Sequence, residues 1–455
     1  EMHDRIALRS KVTFAIRELM NGEGFYEIET PILTKNTPEG SREYLVPSRI
    51  YPRSFYALPQ SPQLYKQLLM AGGMEKYFQI ARCFRDEDSR LDRQPEFTQL
   101  DIEMSFINES LIQSLMERIL AHVWKKVLNI DLTLPFPRMT HDEAFSNYGS
   151  DKPDLRYELK IQNISSAFAN TELKFLKEVL IKGGNIGALV VENKEFTRSE
   201  LDAWVEKAQQ LGAKGLLWMR IKDESTVESP VSKFLPADFI KQLKTIIPSL
   251  KPGCTLFVIA GPYKEAWTLL GRLRSEFGHA LSLIPDQPQF HFSWITDFPM
   301  FEYDEQSKTW NAVHHPFTSP QQGWENLELS QIKARAYDVV LNGIELGGGS
   351  IRIFDAAVQS KVFDLIGLTK EQAQRKFGFL LEAQELGFPP HGGIAIGIDR
   401  LLMLMTKTAS IREVIAFPKT QRAYDPMMDS PTEVEESQLK DYGLRFIAPE
   451  KKSDK

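Results

Sequence analysis

The residues best suited to chemistry lie close together between residues 78 and 106, in a stretch containing QIARCFRDEDSRLDRQPEFTQLDIEMSF. Arg85 follows a strand-like segment, residues 77–84, and a guanidinium there can hold a phosphate through parallel hydrogen bonds. Asp86 and Glu87 come next, where the pattern predicts a turn. A polar loop, residues 88–95, then leads into a second strand. The spacing predicts a hairpin that can hold a nucleotide.

The second strand of this hairpin carries polar side chains at every other position. Because side chains alternate across a strand, three polar side chains and one aromatic share one face: Phe97, Gln99, Asp101 and Glu103. Acids on one face repel each other unless a cation, an amine ligand or a metal ion lies among them. For any single residue here, a solvated hairpin with surface ion pairs is the simpler interpretation. The run as a whole favours a binding site.

Two glycine-rich segments add further candidates. GGIAIGIDRLLML, residues 392–404, predicts a strand that runs into a helix opened by Asp399 and Arg400, and an arginine there can reach a terminal phosphate. GIELGGGSIRIFD, residues 343–355, predicts an antiparallel strand with Glu345 and Arg352 on either side of the glycines. Either segment alone is also a common structural element.

Composition limits the class of protein. The 455 residues are enough for two or three domains, with 42% hydrophobic and 25% charged residues, as in ordinary globular proteins. No apolar run approaches a membrane-spanning length, so no membrane association is expected. Cys83 and Cys254 form no metal-binding or disulfide pattern, which favours a cytoplasmic location. The net charge of −6 argues against coating by nucleic acid, although a local basic surface would suffice for tRNA.

The hairpin and the two glycine-rich segments together resemble motif 2, motif 3 and the strand between them in the class II aminoacyl-tRNA synthetases, in the form carried by the bacterial-type aspartyl-tRNA synthetases. The helix-like residues 4–20 and a strand predicted over 24–33, broken by Pro31, are similar to motif 1, which forms a two-fold dimer interface in that family. The resemblance implies a homodimer and an α+β fold, an antiparallel sheet flanked by helices. Periodicity alone indicates only a mixed helix and sheet protein.

The domain organisation expected from the resemblance has an insertion. Residues 1–150 and 288–448 form the catalytic core, residues 151–287 form an inserted α/β domain, and 449–455 form a tail. Within the insertion, predicted strands 186–191, 215–221 and 256–260 alternate with predicted helices 199–211 and 263–277. The family also carries a small anticodon-reading β-barrel before the region that this sequence resembles. No such barrel is recognised here, so anticodon reading through it is not expected of this chain.

The resemblance implies a pocket for L-aspartate. Lys66 and Arg352 match the positions that bind the side-chain carboxylate, as two cations would. Positions around the substrate ammonium are matched by four residues: Glu39, Ser61, Gln63 and Asp101. Arg85 lies between the amino acid and ATP, and His314 matches a histidine of the loop that closes over the amino acid. The choice between His314 and His315 is left open by the sequence.

The resemblance also implies sites for ATP and Mg²⁺. Arg85 matches the α-phosphate arginine, Arg400 approaches the γ-phosphate and one adenine face, and Phe97 stacks on the base. The other matched ATP positions are Asp86, Glu87, Gln94, Glu345, Gly397, Ile398 and Asp399. Asp338 and Glu345 match the acidic pair that holds Mg²⁺, and oxygen ligands suit that cation. Asp338 is predicted near the end of a helix over residues 330–341.

The activity implied is ATP-dependent activation of L-aspartate and its transfer to the 3′ end of tRNA. Whether asparagine tRNA is also charged is left open. Three alternatives differ in class: an asparaginyl-tRNA synthetase, an asparagine synthetase of the same fold, and a non-catalytic paralogue. Two cations at Lys66 and Arg352 disfavour an amide substrate, and the insertion favours the tRNA synthetase over the asparagine synthetase. Four intact charged residues argue against lost activity: Arg85, Asp338, Glu345 and Arg400.

Overall fold

The computed structural model describes residues 1–36, 41–88, 90–236, 238–286 and 289–447. The chain divides into two compact units: unit 1 comprises residues 1–136, 299–338 and 346 onward, and unit 2 comprises 137–298 and 339–345. The helices of the described residues are α1 Met2–Gly22, α2 Gln63–Ala71, α3 Glu109–Val123, α4 His141–Tyr148, α5 Lys174–Ile181, α6 Arg198–Gln210, α7 Phe239–Ile246, α8 Tyr263–Ala280, α9 Ala356–Leu365, α10 Lys370–Gly387, α11 Ile398–Thr406 and α12 Glu436–Asp441. The strands in the same residues are β1 Tyr26–Glu27, β2 Leu45–Pro47, β3 Phe55–Ala57, β4 Lys76–Phe84, β5 Glu96–Ser105, β6 Arg138–Thr140, β7 Gln162–Asn163, β8 Asn185–Val191, β9 Leu217–Ile221, β10 Val227–Glu228, β11 Thr255–Gly261, β12 Phe292–Thr296, β13 Phe301–Asp304, β14 Thr309–Ala312, β15 Ala336–Leu341, β16 Ile344–Ile351 and β17 His391–Gly397.

The main sheet of unit 1 contains the three segments singled out in the sequence. β1, β4, β5, β17, β16 and β15 lie side by side in that order. β4 pairs with β5, β5 with β17 and β17 with β16, all antiparallel, whereas the short β1 runs parallel to β4. The predicted hairpin, the predicted antiparallel strand and the strand leading into a helix are therefore confirmed. The sheet places the three segments next to one another.

The first helix of unit 1 is also confirmed, but the strand expected after it is mostly wrong. α1 buries Val12, Ala15, Ile16 and Met20, which recur at helical spacing. Of the predicted strand 24–33, only β1 pairs with a neighbour. Pro31 has no N–H to donate to a ladder, and Ile32 and Leu33 are exposed. Apolar residues alone therefore did not define a strand here.

The helix predicted over residues 330–341 is wrong, because β15 occupies Ala336–Leu341. Asn342 and Gly343 follow it with φ of 53° and 83°, the left-handed conformations of a tight hairpin turn between β15 and β16. The strand is buried along nearly all its length, so it lacks the alternation that distinguishes a strand from a helix. The Asn-Gly pair was the sequence signal that identifies the hairpin.

Unit 2 has a sheet of its own, with β10, β9, β11, β8 and β7 in that order. All of its pairings are antiparallel. The predicted strands and helices of the insertion are present as β8, β9, β11, α6 and α8. Two apolar clusters, one containing Phe257 and Phe277 and the other Phe239 and Leu256, form its core.

The domain boundaries expected at 150/151 and 287/288 stay a prediction. None of the helices in the described residues combines the length and apolarity needed to cross a bilayer.

Candidate active site

The floor of the candidate site is one face of β5. Asp101 and Glu103 lie on it and are fully buried, at 0% exposure. Leu100 and Ile102 alternate with them on the opposite face. Buried carboxylates need partners of opposite charge, because desolvation of an isolated charge is very costly. The solvated-hairpin interpretation is therefore wrong for this pair of acids.

The partners are two buried cations from different parts of unit 1. Lys66, on α2, places its Nζ 2.6 Å from Asp101 Oδ1 and 3.3 Å from Glu103 Oε2. Arg352 follows β16 and donates from Nε and Nη2 to the two oxygens of Glu103, at 2.9 and 3.1 Å. Of the partners that the sequence left open for these acids, cations of the protein itself are present. The four side chains, Lys66, Asp101, Glu103 and Arg352, are called the charge cluster below.

Electrostatics keep most of the charge cluster ionised. Burial acts to raise the pKa of Glu103, but Arg352 and Lys66 outweigh it and the pKa is lowered. Burial acts to lower the pKa of Arg352, and Glu103 reverses that, so the pKa is raised. Burial raises the pKa of Asp101, with Lys66 acting in the opposite direction. Asp101 is thus the acid of the cluster whose charge is compensated least.

One carboxylate oxygen of Asp101 lacks a donor among the described residues. Its Oδ2 is buried and accepts no hydrogen bond from the residues that the structure describes. The nearby Tyr77 hydroxyl donates to Gln79 Oε1, at 2.9 Å. A buried acceptor without a donor costs about 1–3 kcal/mol. A cationic ligand such as an ammonium would remove that cost.

Sequence reasoning noted Glu103 on the β5 face but assigned it no role in the site. It is the acid that contacts both cations. It lies opposite Gly393 of β17, and a Cβ at that glycine would be 2.0 Å from Glu103 Oε2. The glycine therefore leaves the space that the carboxylate occupies. The sequence signal for a role of Glu103 was its position two residues after Asp101, on the same face of the strand.

His315 completes the surroundings of Arg352. Arg352 Nη1 donates to Ser350 Oγ at 2.7 Å and lies 2.6 Å from Nε2 of the His315 ring. Every nitrogen of the guanidinium thus already donates within the protein. Phe317 N donates to Nδ1 of the same ring at 3.3 Å, so a protonated His315 would face donors on both sides, and burial, Arg352, His314 and Lys66 all lower its pKa. The role expected of His314 stays a prediction, while His315 is the histidine in contact with Arg352.

This neutral histidine predicts an acid-sensitive stability. A histidine with a lowered folded pKa takes up a proton on unfolding once the pH falls below its unfolded pKa, near 6.5, so stability is full above that pH and is lost as the pH falls. We expect His315→Gln to decrease the pH dependence of the unfolding free energy between pH 6.5 and 5 by up to about 1.4 kcal/mol per pH unit. Urea unfolding across this range measures it. The same change at exposed His3 is the control, and equal slopes in both variants would contradict the argument.

Arg85 lies at the end of β4, beside β5. Its backbone N–H donates to Pro95 O at 2.8 Å, and its guanidinium carbon lies 5.0 Å from the centre of the Phe97 ring. Its Nε is buried and makes no hydrogen bond within the described part of the chain. The arginine is therefore held by stacking and by its backbone, and its donors are available for an anion.

The loop between β4 and β5 holds several predicted ATP positions through internal contacts. Glu87 pairs with Arg93 at 2.8 Å, and the Asp86 carboxylate is 3.8 Å from Arg42 Nε. The Gln94 amide is held at both ends by the backbone of Lys419, at 3.1 and 2.8 Å. These contacts shape the loop before any ligand binds.

The two charged residues that open α11 have different surroundings. Arg400 Nη2 lies 3.1 Å from Asp92 Oδ2, so this arginine faces the same loop. Asp399 is buried, pairs with Arg9 of α1 and accepts from Thr98 N at 2.8 Å. Its carboxylate therefore joins α1, β5 and α11. Gly397 ends β17, and Ile398 is buried in the first turn of α11.

The remaining predicted residues are placed as follows. Ser61 precedes α2, and Glu39 lies outside the described residues. Asp338 belongs to unit 1, and Glu345 belongs to unit 2. A Cβ at Gly348 would be 1.9 Å from Asp338 Oδ1, so the absence of a side chain leaves space for this carboxylate. No cluster of three or more metal-binding side chains occurs in the described ranges.

Comparisons with known proteins identify the family of this chain. A family model described as tRNA synthetases class II (D, K and N) matches residues 1–421. The "Aspartate--tRNA(Asp/Asn) ligase" of Caldanaerobacter subterraneus subsp. tengcongensis is 49% identical over 453 residues, 98% of this chain and 75% of the relative. The "Aspartate--tRNA ligase" of Staphylococcus carnosus is 47% identical over 451 residues, 98% of this chain and 76% of the relative.

The solved structures support the fold. Entamoeba histolytica asparaginyl-tRNA synthetase in complex with asparaginyl-adenylate aligns with a TM-score of 0.51 and 16% identity, over 92% of this chain and 67% of that one. The Pyrococcus horikoshii asparaginyl-tRNA synthetase aligns with a TM-score of 0.51 and 17% identity, over 92% of this chain and 69% of that one. At these identities the likeness concerns the fold alone, and it confirms the predicted α+β class.

Proposed function

This chain belongs to the class II tRNA synthetases of the D, K and N group, and we propose that it is the aspartate-specific enzyme, which joins L-aspartate to tRNA with ATP. The observation that carries the specificity is the charge cluster, in which Lys66 and Arg352 are both buried beside acids. Two cations suit the carboxylate side chain of aspartate better than the amide of asparagine.

Activation needs positioning more than proton transfer. The α-carboxylate of aspartate attacks the α-phosphorus of ATP, a P–O bond forms, and pyrophosphate leaves. The aspartyl group then passes to the 3′-terminal ribose hydroxyl of tRNA, and AMP is released. A carboxylate is already a nucleophile, so the first step requires no general base. Arg85 stabilises the charge that develops at the α-phosphate, and Arg400 holds the far end of ATP.

Within unit 1, Asp338 is the residue that would supply a ligand to Mg²⁺. Mg²⁺ is commonly bound by one or two carboxylates together with substrate phosphates, and the space beside Gly348 admits the Asp338 carboxylate. When bound, the ion neutralises phosphate charge. The Asp338 carboxylate would supply a hard oxygen ligand, and its negative charge would favour a cation over a free phosphate.

We infer that the enzyme acts as a cytoplasmic homodimer. Apolar side chains stand exposed on α1 and in the segment after it, among them Phe14 at 67% and Tyr26 at 62% exposure. Exposed apolar surface of this kind is typical of a protein interface. Sedimentation velocity should give about twice the 52.1 kDa chain mass. A monomer at micromolar concentration would contradict the dimer.

The tRNA range is a separate proposal. Relatives named for both aspartate and asparagine tRNA, and others named for aspartate tRNA, are similar to this chain at 47–49% identity. The first group supports charging of both tRNAs. Aspartylation of separate aspartate and asparagine tRNA transcripts distinguishes the two ranges.

The experiment that tests the activation step is ATP–pyrophosphate exchange without tRNA. Aspartate and asparagine are supplied in separate reactions with Mg²⁺. We expect exchange with aspartate, at least about tenfold less with asparagine, and none after chelation of Mg²⁺. Equal rates with both amino acids would contradict the specificity, and no exchange with either would favour a non-catalytic paralogue.

A further inference from the structure

A chain of buried hydrogen bonds runs from β17 to the amino-acid end of the site through residues to which the proposed mechanism gives no part. His391 is fully buried, and its Nδ1 lies 2.8 Å from Pro389 O. Its Nε2 lies 3.2 Å from Gln67 Nε2. Gln67 is also fully buried, and its Oε1 accepts from Gln63 Nε2 at 3.2 Å. Three buried side chains are thus linked in series.

The contact of His391 with Pro389 O determines which group donates in every hydrogen bond of this series. A carbonyl oxygen only accepts, so His391 must carry its proton on Nδ1. In the neutral ring Nε2 is then an acceptor, and Gln67 must present its NH₂ group there. The Gln67 oxygen consequently faces Gln63, which must present its own NH₂ group in turn. The other end of the Gln63 amide, Oε1, is left as an acceptor.

That acceptor lies where an ammonium is expected. Gln63, Lys66 and Gln67 share one face of α2, because they are three and four residues apart. Lys66 binds Oδ1 of Asp101, and Asp101 Oδ2 accepts no hydrogen bond from the described residues. Gln63 Nε2 donates to Gln67, so Oε1 is the end of this amide that is left to accept from a ligand. One acceptor oxygen on each of Asp101 and Gln63 suits a ligand with several N–H groups.

We propose that His391 and Gln67 are positioning residues, which orient the Gln63 amide so that its oxygen, and not its NH₂ group, meets the substrate ammonium. The inference rests on the proposed function, which places the amino group of aspartate there. A reversed Gln63 amide would direct N–H groups at a cation, and the favourable contact would become a repulsive one. This series of hydrogen bonds through His391, Gln67 and Gln63, called the relay below, therefore favours a substrate that carries an ammonium.

The neutral state of His391 is consistent with this direction. Burial lowers the pKa of its ring, although Glu103 acts in the opposite direction. The ring also packs edge-on against Phe388, with centroids 5.2 Å apart. Replacement of His391 by a neutral side chain therefore leaves the net charge around the charge cluster unchanged.

The test separates orientation from packing. His391→Leu removes the acceptor for Gln67, Gln67→Met removes both relay bonds at similar volume, and His391→Gln keeps an acceptor near the position of Nε2. We expect the first two variants to raise the KM for aspartate in pyrophosphate exchange by about tenfold or more, and His391→Gln to stay within about threefold of the parent. The KM for ATP should change less than about twofold in all three.

Succinate provides the decisive control, because it has both carboxylates of aspartate and no ammonium. Its competitive inhibition constant should be the same in the parent, His391→Leu and Gln67→Met. A parallel weakening of succinate, or a raised KM for ATP, would mean that the variants disturb packing, and an unchanged KM for aspartate would mean that the relay does not orient Gln63. Either result overturns the proposal while the proposed function stands. A parent without aspartate-dependent exchange would overturn both.

Discussion

Arg85→Ala is expected to lower the rate of aspartate-dependent ATP–pyrophosphate exchange on the order of 10²-fold. The guanidinium of Arg85 has donors that are not used within the described chain, and its place at the end of β4 is fixed by a backbone bond to Pro95. A donor held in place before reaction stabilises charge that develops only in the transition state. Loss of one such donor costs about 3 kcal/mol, which corresponds to this factor in rate.

Two variants make the Arg85 result specific. Arg85→Lys keeps the charge but loses the planar, bidentate geometry, so most of the loss should persist. Arg82→Ala, on the same strand, removes a partly exposed arginine that pairs with Glu96, and its effect on the rate should be below about threefold. Thermal unfolding should be nearly unchanged in all three, because Arg85 makes no buried ion pair in the structure described. Near-parent exchange by Arg85→Ala would remove this residue from the mechanism.

The sequence predicted those parts of the site that depend on residues close together along the chain. The alternation of β5 and the order of strand, turn and strand around Arg85 depend on neighbours in sequence, and both are present. The register between β5 and β17 depends on residues almost 300 positions apart, and no local pattern specifies it. The contact of Glu103 with Arg352 exists only because that register places β17 between β5 and β16. Its energetic role was therefore missed.

The error at β15 and the unforeseen partners of Asp399 have a similar cause. β15 was predicted as a helix because a buried strand and a buried helix both present continuous apolar runs. Asp399 was matched to ATP because it opens α11 in the motif, yet its carboxylate binds Arg9 and Thr98 N within the protein. Its match to an ATP position stays a prediction. A motif identifies a residue type at a position, whereas the partner of that residue depends on tertiary structure.

Arg352→Met should destabilise unit 1 and abolish aspartate activation together. The substitution leaves Glu103 buried at 0% exposure with only Lys66 as a cationic partner, shared with Asp101. Removal of one member of a buried ion pair typically costs about 3–5 kcal/mol. Arg118→Met is a matched control, because Arg118 binds Glu23 with the same two distances, 2.9 and 3.1 Å, but both side chains are partly exposed to solvent. It should cost at most about 1 kcal/mol.

A second substitution separates the two effects of Arg352. In the double variant Arg352→Met with Glu103→Gln, the uncompensated carboxylate is gone, so most of the lost stability should return, as for buried ion pairs replaced as a unit. The substrate would still lack a cation for its side-chain carboxylate, and aspartate-dependent exchange should stay absent. Urea unfolding and exchange measured on the same preparations distinguish the outcomes. If the double variant regained exchange with stability, Arg352 would serve only to neutralise Glu103, and recognition of the aspartate side chain would depend on Lys66 alone.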